Sequence, residues 1–151
     1  MLLGAGGAAR AIITAMVKEK AGKITIVNRT MENAIKLTEF AKKIGGNVDI
    51  VSLQKANKII ADYKFIINST SIGMKNEPSA LSTENIGKDT IVYDIVYQPI
   101  NTDLVKKSKE NGATIIYGYE MLLSQAARAF EIWHKIEPPY DAMKKALLGG
   151  F

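Results

Sequence analysis

"MLLGAGGAARAIITAM", residues 1–16, decides how the rest of the chain is read. Met1, Leu2 and Leu3 run straight into Gly4, Ala5, Gly6, Gly7, Ala8, Ala9 and Arg10, and an alanine-rich apolar stretch follows. Gly4, Gly6 and Ala9 fit the spacing G-x-G-x-x-A. The first glycine of that pattern permits a tight turn, and the second lets the backbone approach a pyrophosphate. The small third residue allows close packing of helix on sheet. Unpaired N–H groups and the positive end of the helix dipole then face the anion. Any glycine turn before a helix matches such a motif by chance, so its context must carry the weight.

That context is an alternation of short strands and helices. Residues 8–20 read as a helix closed by Gly22, and 23–28 ("KITIVN") as a β-branched strand. Thr30 caps a helix over 31–43, with Ala34, Leu37 and Ile44 at helical spacing. Strands follow at 47–53, 63–68, 90–97 and 113–118, and helices at 54–61, 103–111, 119–134 and from about Tyr140. Asn101 or Thr102 caps the 103–111 helix, and Gly112 ends it. Strands alternating with helices call for a parallel sheet covered on both faces. The expectation is an α/β fold of three αβα layers: a Rossmann-like, doubly wound, six-stranded parallel sheet of order 3-2-1-4-5-6. Its ligands lie beyond the carboxyl ends of the strands.

Composition narrows the function classes. A chain of 151 residues, 47% hydrophobic and 23% charged, is the size of one soluble domain. No run approaches the roughly 18 apolar residues of a membrane span, and no leader pattern precedes the fold. With no cysteine there is no thiolate metal site or cysteine nucleophile, and one histidine makes no His-rich metal site. The expected compartment is the cytoplasm. The net charge is +5, but the lysines are spread along helix faces. That pattern suits a solvated surface favouring anionic small molecules over nucleic acid.

The second strand ends in Asn28, Arg29 and Thr30. An NAD-preferring site usually places a carboxylate there for the ribose 2′-hydroxyl. Arg29 instead offers a planar fork for a 2′-phosphate, so NADP is the expected cofactor. After the fourth strand, "NSTSIGM" (68–74) is either a turn closed by Asn68 or a loop passing close to a ribose or nicotinamide. "DIVYQP" (94–99) places Tyr97 at a strand end, as packing or as a phenol toward a polar substrate. On the 119–134 helix, Met121, Leu122, Ala126, Ala129, Phe130 and Trp133 share one arc, with Gln125 on that apolar side. An amide there needs partners, from backbone or from a ligand. His134 falls on the polar side and is given no catalytic role.

With these pieces assembled, "GAGGAARA", "NRT", "NSTSIGM", "DIVYQP" and "GYEMLLSQAARAFEIW" resemble, in order and spacing, the C-terminal NADP-binding half of shikimate dehydrogenases. The resemblance covers nearly the whole chain. It implies NADP-dependent, reversible reduction of 3-dehydroshikimate to shikimate, in aromatic amino-acid biosynthesis. Carried over by position, it puts Gly4, Ala5, Gly6, Gly7 and Ala8 around the pyrophosphate and Asn28, Arg29 and Thr30 at the adenosine end. Asn68, Thr70, Ile95 and Gly118 lie near the ribose and nicotinamide, and Tyr97 and Gln125 at the shikimate site. Two departures stand out. Asn33 occupies a position where the family commonly has Lys or Arg, which weakens discrimination against NAD; "NST" replaces the usual "NAT".

In the family a substrate domain comes first and carries the proton-transfer lysine and its aspartate partner. No catalytic residue is therefore assigned in this chain. A first strand of three residues, against about five or six typically, gives the expectation of a fragment covering residues 1–151 of the cofactor domain. Such a fragment binds cofactor, is nearly inactive alone, and exposes apolar surface along the cleft and over 138–151 that favours self-association. The alternatives are a stand-alone NADP-binding or regulatory module, and a domain of a quinate/shikimate dehydrogenase.

Overall fold

The computed structural model describes residues 1–149. Its strands are β1 (Leu2–Leu3), β2 (Lys23–Val27), β3 (Asn47–Val51), β4 (Phe65–Asn68), β5 (Ile91–Asp94) and β6 (Thr114–Ile116). The helices are α1 (Gly7–Lys18), α2 (Met31–Lys43), α3 (Leu53–Ile59), α4 (Asp103–Glu110), α5 (Gly118–His134) and α6 (Tyr140–Leu148). All strand pairings are parallel, and the order is β3-β2-β1-β4-β5-β6, the doubly wound arrangement expected.

Side-chain alternation explains the layers. Leu2, Ile24, Ile26 and Ile67 point to one face and pack with Ala9 and Ile13 of α1 and Ala34, Leu37 and Ala41 of α2. Met1, Leu3, Val27, Val51, Ile66 and Val92 point to the other, against Ala56 of α3, Leu104 of α4, and Leu81 and Ile86. Because both faces are covered, the strands read as nearly continuous apolar runs.

β1 is shorter still than the three residues expected, yet it lies at the centre. Leu2 pairs with Ile26 and Ile67, and Leu3 with Val27 and Asn68. The ladder continues past both ends: Ile67 N–H donates to the Met1 carbonyl (2.9 Å) and Gly4 N–H to the Val27 carbonyl (2.8 Å). Gly4 has φ +109°, and a Cβ there would lie 2.6 Å from Ser69 Oγ. Only glycine makes that turn without strain.

Several boundaries differ from the alternation reading. β3 stops at Val51 because Ser52 turns to cap α3, its Oγ accepting from Lys55 N–H (3.2 Å). β5 stops at Asp94 rather than Tyr97, because the Asp94 carboxylate accepts Val96 N–H (3.0 Å) and bends the chain. α1 ends two residues early, and Lys20 (φ 57°), not Gly22, makes the left-handed turn after it. Thr30 holds the N-cap position of α2 without a side-chain cap bond.

Candidate functional site

α1 begins at the carboxyl end of β1. Its N-cap, Gly6, contributes no side-chain cap bond, and no acid lies in the first turn. Open space surrounds the Cβ positions of Gly6 and Gly7. A helix start with no side-chain cap suits an anion.

Beside this turn, Asn28 Nδ2 donates to the Thr30 carbonyl (2.7 Å), folding the β2 exit into a compact bend. Arg29 is exposed on that bend. A groove of about 680 Å³ runs past Ala5, Gly6, Asn28, Arg29 and Thr30, then along Ser52 and Leu53 to Thr70, Ser71 and Ile72. The adenosine-end residues named from sequence thus share one groove with the glycine loop. Ser52 and Leu53 were missed, since the 47–53 segment read as strand to its end. A shallower hollow of about 320 Å³ joins Gly6 and Gly7 to Arg10, Asn33, Lys36 and Phe40. There the Arg10 guanidinium sits 4.0 Å from the Phe40 ring centroid, a cation–π contact.

A second cleft, about 760 Å³, opens at the exits of β4 and β5. Ser69, Thr70 and Ser71 form one wall; Ile95, Val96, Tyr97, Gln98 and Pro99 form the other, with Met121 from α5. Thr70 and Ser71 line both spaces, so the groove and the cleft adjoin at this loop. The join falls where the sheet order reverses, between β1 and β4, the place where doubly wound sheets take their ligands.

Hydrogen bonds hold the cleft walls. Asn68 is 2% exposed. Its Nδ2 donates to the Ile72 carbonyl (3.2 Å) and to Asp94 Oδ1 (2.9 Å), and its Oδ1 accepts Thr70 N–H (3.1 Å) and Thr70 Oγ1–H (2.6 Å). The amide has two donors and two acceptor sites, and all four are used. Asn68, expected near the ribose and nicotinamide, therefore has its amide taken up within the protein, where it shapes the 68–72 loop. Asp94, fully buried, also accepts from Val96 N–H and from Thr102 Oγ1 (2.6 Å). Burial pushes its carboxyl above the ordinary range, and the donors Thr102, Val96 and Asn68 oppose that rise.

The remaining expected residues sit as follows. Gly118 starts α5 hard against the β5 exit: a Cβ there would lie 2.4 Å from the Val96 carbonyl oxygen and 2.5 Å from that of Ile95. Tyr97 is 40% exposed at the cleft wall. Gln125 is exposed, one turn along α5 from Met121.

The apolar arc of α5 needs correction. Its buried residues are Gly118, Leu123 and Ala127, while Ala126 is exposed and Trp133 is 77% exposed. The stripe is wider than the face the sheet covers, so Gln125 lies outside the core. Ile132, Ile136 and Tyr140 extend the exposed apolar surface, and α6 buries no residue. The last two residues of the apolar stretch 138–151 lie outside the described residues. No described helix is long and apolar enough to cross a membrane.

Comparison with known proteins places this arrangement. A family model described as "Shikimate / quinate 5-dehydrogenase" matches residues 1–97, and one described as "Shikimate 5'-dehydrogenase C-terminal domain" matches residues 118–148. The shikimate dehydrogenase (NADP(+)) of Nitrosopumilus maritimus is 60% identical over 151 residues, covering all of this chain and 55% of that protein. The quinate dehydrogenase of Corynebacterium glutamicum, solved in complex with NAD, superposes with a TM-score of 0.89 at 28% identity, over 98% of this chain and 54% of that one. The shikimate 5-dehydrogenase of Listeria monocytogenes, solved with shikimate and NAD, gives a TM-score of 0.86 at 33% identity, over 97% and 54%. The chain spans about half the length of the curated relatives it matches.

Proposed function

The chain belongs to the shikimate/quinate 5-dehydrogenase family, and from that premise we propose that it is the NADP-binding half of a cytoplasmic shikimate dehydrogenase. The reaction is the reversible reduction of 3-dehydroshikimate to shikimate. The observation that carries this reading is the groove from the glycine loop past Arg29, which meets the β4–β5 cleft at Thr70 and Ser71.

The residues fit the cofactor. Gly4, Ala5, Gly6, Gly7 and Ala8 turn the chain so that the start of α1 meets the pyrophosphate, and the open space at Gly6 and Gly7 admits it. Arg29, on the bend with Asn28 and Thr30, takes the 2′-phosphate with its guanidinium fork. Thr70 and Ile95 border the nicotinamide end, and Gly118 lets α5 close on that border. When bound, the nicotinamide supplies or accepts the hydride. Tyr97, with its ring at the cleft wall, and Gln125, from α5, orient the substrate's polar groups.

Proton transfer at the substrate oxygen requires a general acid/base. We assign it to a lysine with an aspartate partner in the portion of the longer relatives that this chain does not span. On this reading the chain alone binds cofactor and turns over shikimate negligibly. The exposed apolar face of α5 and α6 then packs on that portion, or self-associates without it.

Calorimetric titration with NADP+ and NAD+ tests the cofactor assignment: saturable NADP+ binding with NAD+ much weaker is expected, and no nucleotide binding overturns it. A second reading, a quinate-active relative using NAD, is favoured by Asn33, which puts no cation on the first turn of α2. Equal affinity for both nucleotides would support it.

A further inference from the structure

Asp94 is the one fully buried carboxylate among the described residues, and the family reading gives it no task. It accepts three hydrogen bonds from three separate segments: the Asn68 amide at the end of β4, the Val96 N–H after β5, and the Thr102 hydroxyl at the start of α4. The bond from Asn68 is 2.9 Å, an ordinary length, and that from Thr102 is 2.6 Å, a length typical of a hydroxyl donating to a carboxylate. Each donor governs something further. Asn68 fixes Thr70 and Ile72, Thr70 Oγ1 in turn accepts Ile72 N–H (3.1 Å), and Thr102 caps α4. The two walls of the cleft, joined along the backbone by Ile95 N–H donating to the Asn68 carbonyl (3.1 Å), are thus tied a second time, side chain to side chain, through one carboxylate.

We propose that Asp94 is a positioning residue for the nicotinamide half of the cofactor, holding the 68–72 loop and the 95–97 turn at the separation that half requires. The inference rests on the reading of the chain as an NADP-binding domain. Asp94 does not line the cleft or the groove, so its influence passes through Asn68, Val96 and Thr102. The glycine loop and the Asn28–Thr30 bend, which hold the adenosine end on this reading, share none of these bonds. Loss of the network should therefore divide the cofactor's affinity in two.

The experiment compares NADPH with 2′,5′-ADP, which carries the 2′-phosphate but no nicotinamide, on the 151-residue chain. Wild type is expected to bind NADPH more tightly than 2′,5′-ADP and to change the reduced-nicotinamide fluorescence on binding. In Asp94→Asn, an NH2 group meets donors that had an acceptor. NADPH affinity should fall about tenfold, the order of one lost hydrogen bond to a charged group. The fluorescence change should be lost, while 2′,5′-ADP binding stays within about twofold of wild type.

Thr102→Val should reproduce the split in weaker form and Thr102→Ser should restore it, so the test stands even where Asp94→Asn fails to fold. Equal weakening of both ligands, or wild-type NADPH binding and fluorescence in the variants, would overturn the proposal. Failure of the wild type to bind either ligand would remove the family-based reading and this inference with it. Wild-type binding of 2′,5′-ADP with no gain for NADPH would overturn this inference alone.

Discussion

The two stretches of the ligand channel are built in opposite ways. At the glycine loop and the β2 exit, polar groups are left facing outward. α1 starts with no cap and no acid, and Thr30 leads α2 without capping it. At the exits of β4 and β5, polar groups are spent on one another. α4 beside them starts with Thr102 bonded to both Asp94 and Val105 N–H, followed by Asp103, whose carboxylate accepts from Ser79 and Lys107. An uncapped helix start costs about 1 kcal/mol. α3 and α4 are capped by a side chain, whereas α1 and α2 start without one, which on the proposed reading leaves their first N–H groups to the cofactor. The open stretch is made for contact, the closed one for position.

Substitutions on the closed side should therefore register first as stability, and those on the open side as binding. The largest effect is expected for Gly118→Ala, whose methyl would meet the backbone carbonyls of Ile95 and Val96. It should cost about 3 kcal/mol in urea unfolding; a loss under about 1 kcal/mol would show the α5 start to be loosely packed. On the open side, Arg29→Ala should weaken NADP+ by about tenfold to a hundredfold while leaving NAD+ nearly unchanged. Parallel loss for both nucleotides would move Arg29 off the 2′-phosphate.

Gly7→Asp should separate the two quantities by sign. An acid in the first turn of α1 should raise stability by about 0.5 kcal/mol and lower NADP+ affinity about tenfold through repulsion of the pyrophosphate. Melting temperature and binding falling together would mean that the α1 start is not an anion site. The smallest effect is a titration. The backbone N–H of Ser79, and then Lys107, hold the Asp103 carboxyl below its ordinary 3.8. Its contribution is present above that value and is lost as pH falls through the lowered one. Asp103→Asn should flatten acid unfolding slightly in that window. An unchanged acid limb would assign that slope to other carboxylates.

The residues of both stretches were marked in the sequence, but the bonding that closes the second was not. Gly4, Gly6 and Ala9 announce their turn because so few residues tolerate it, and α2 spans 31–43 as its periodicity predicts. Asp94 left no such mark. Within "TIVYDIVY" it reads as one polar position in an alternating strand, and nothing local says that the Asn68 amide and the Thr102 hydroxyl converge on it beside the nearby Val96 N–H. Asn68 was noticed, with its own backbone and a ligand both open as partners; the saturation of its amide depends on Asp94, 26 positions away. On α5, periodicity identified an apolar side but not which part the sheet covers. Trp133 is apolar by type and 77% exposed in place. Pattern reports a preference for burial, whereas coverage is a property of neighbours.

The brevity of β1 has a mechanical side. β2 and β3 pair over five residues, and β4 and β5 over four, but along the hydrogen-bond ladder these two blocks are joined through Leu2, Leu3 and the bonds just beyond them. The sheet has a narrow waist, and the groove crosses it, with Arg29 on one block and Thr70 on the other. A dinucleotide lying there is also a strut across the waist. Filling the groove would stiffen the joint between the blocks as well as occupy a site.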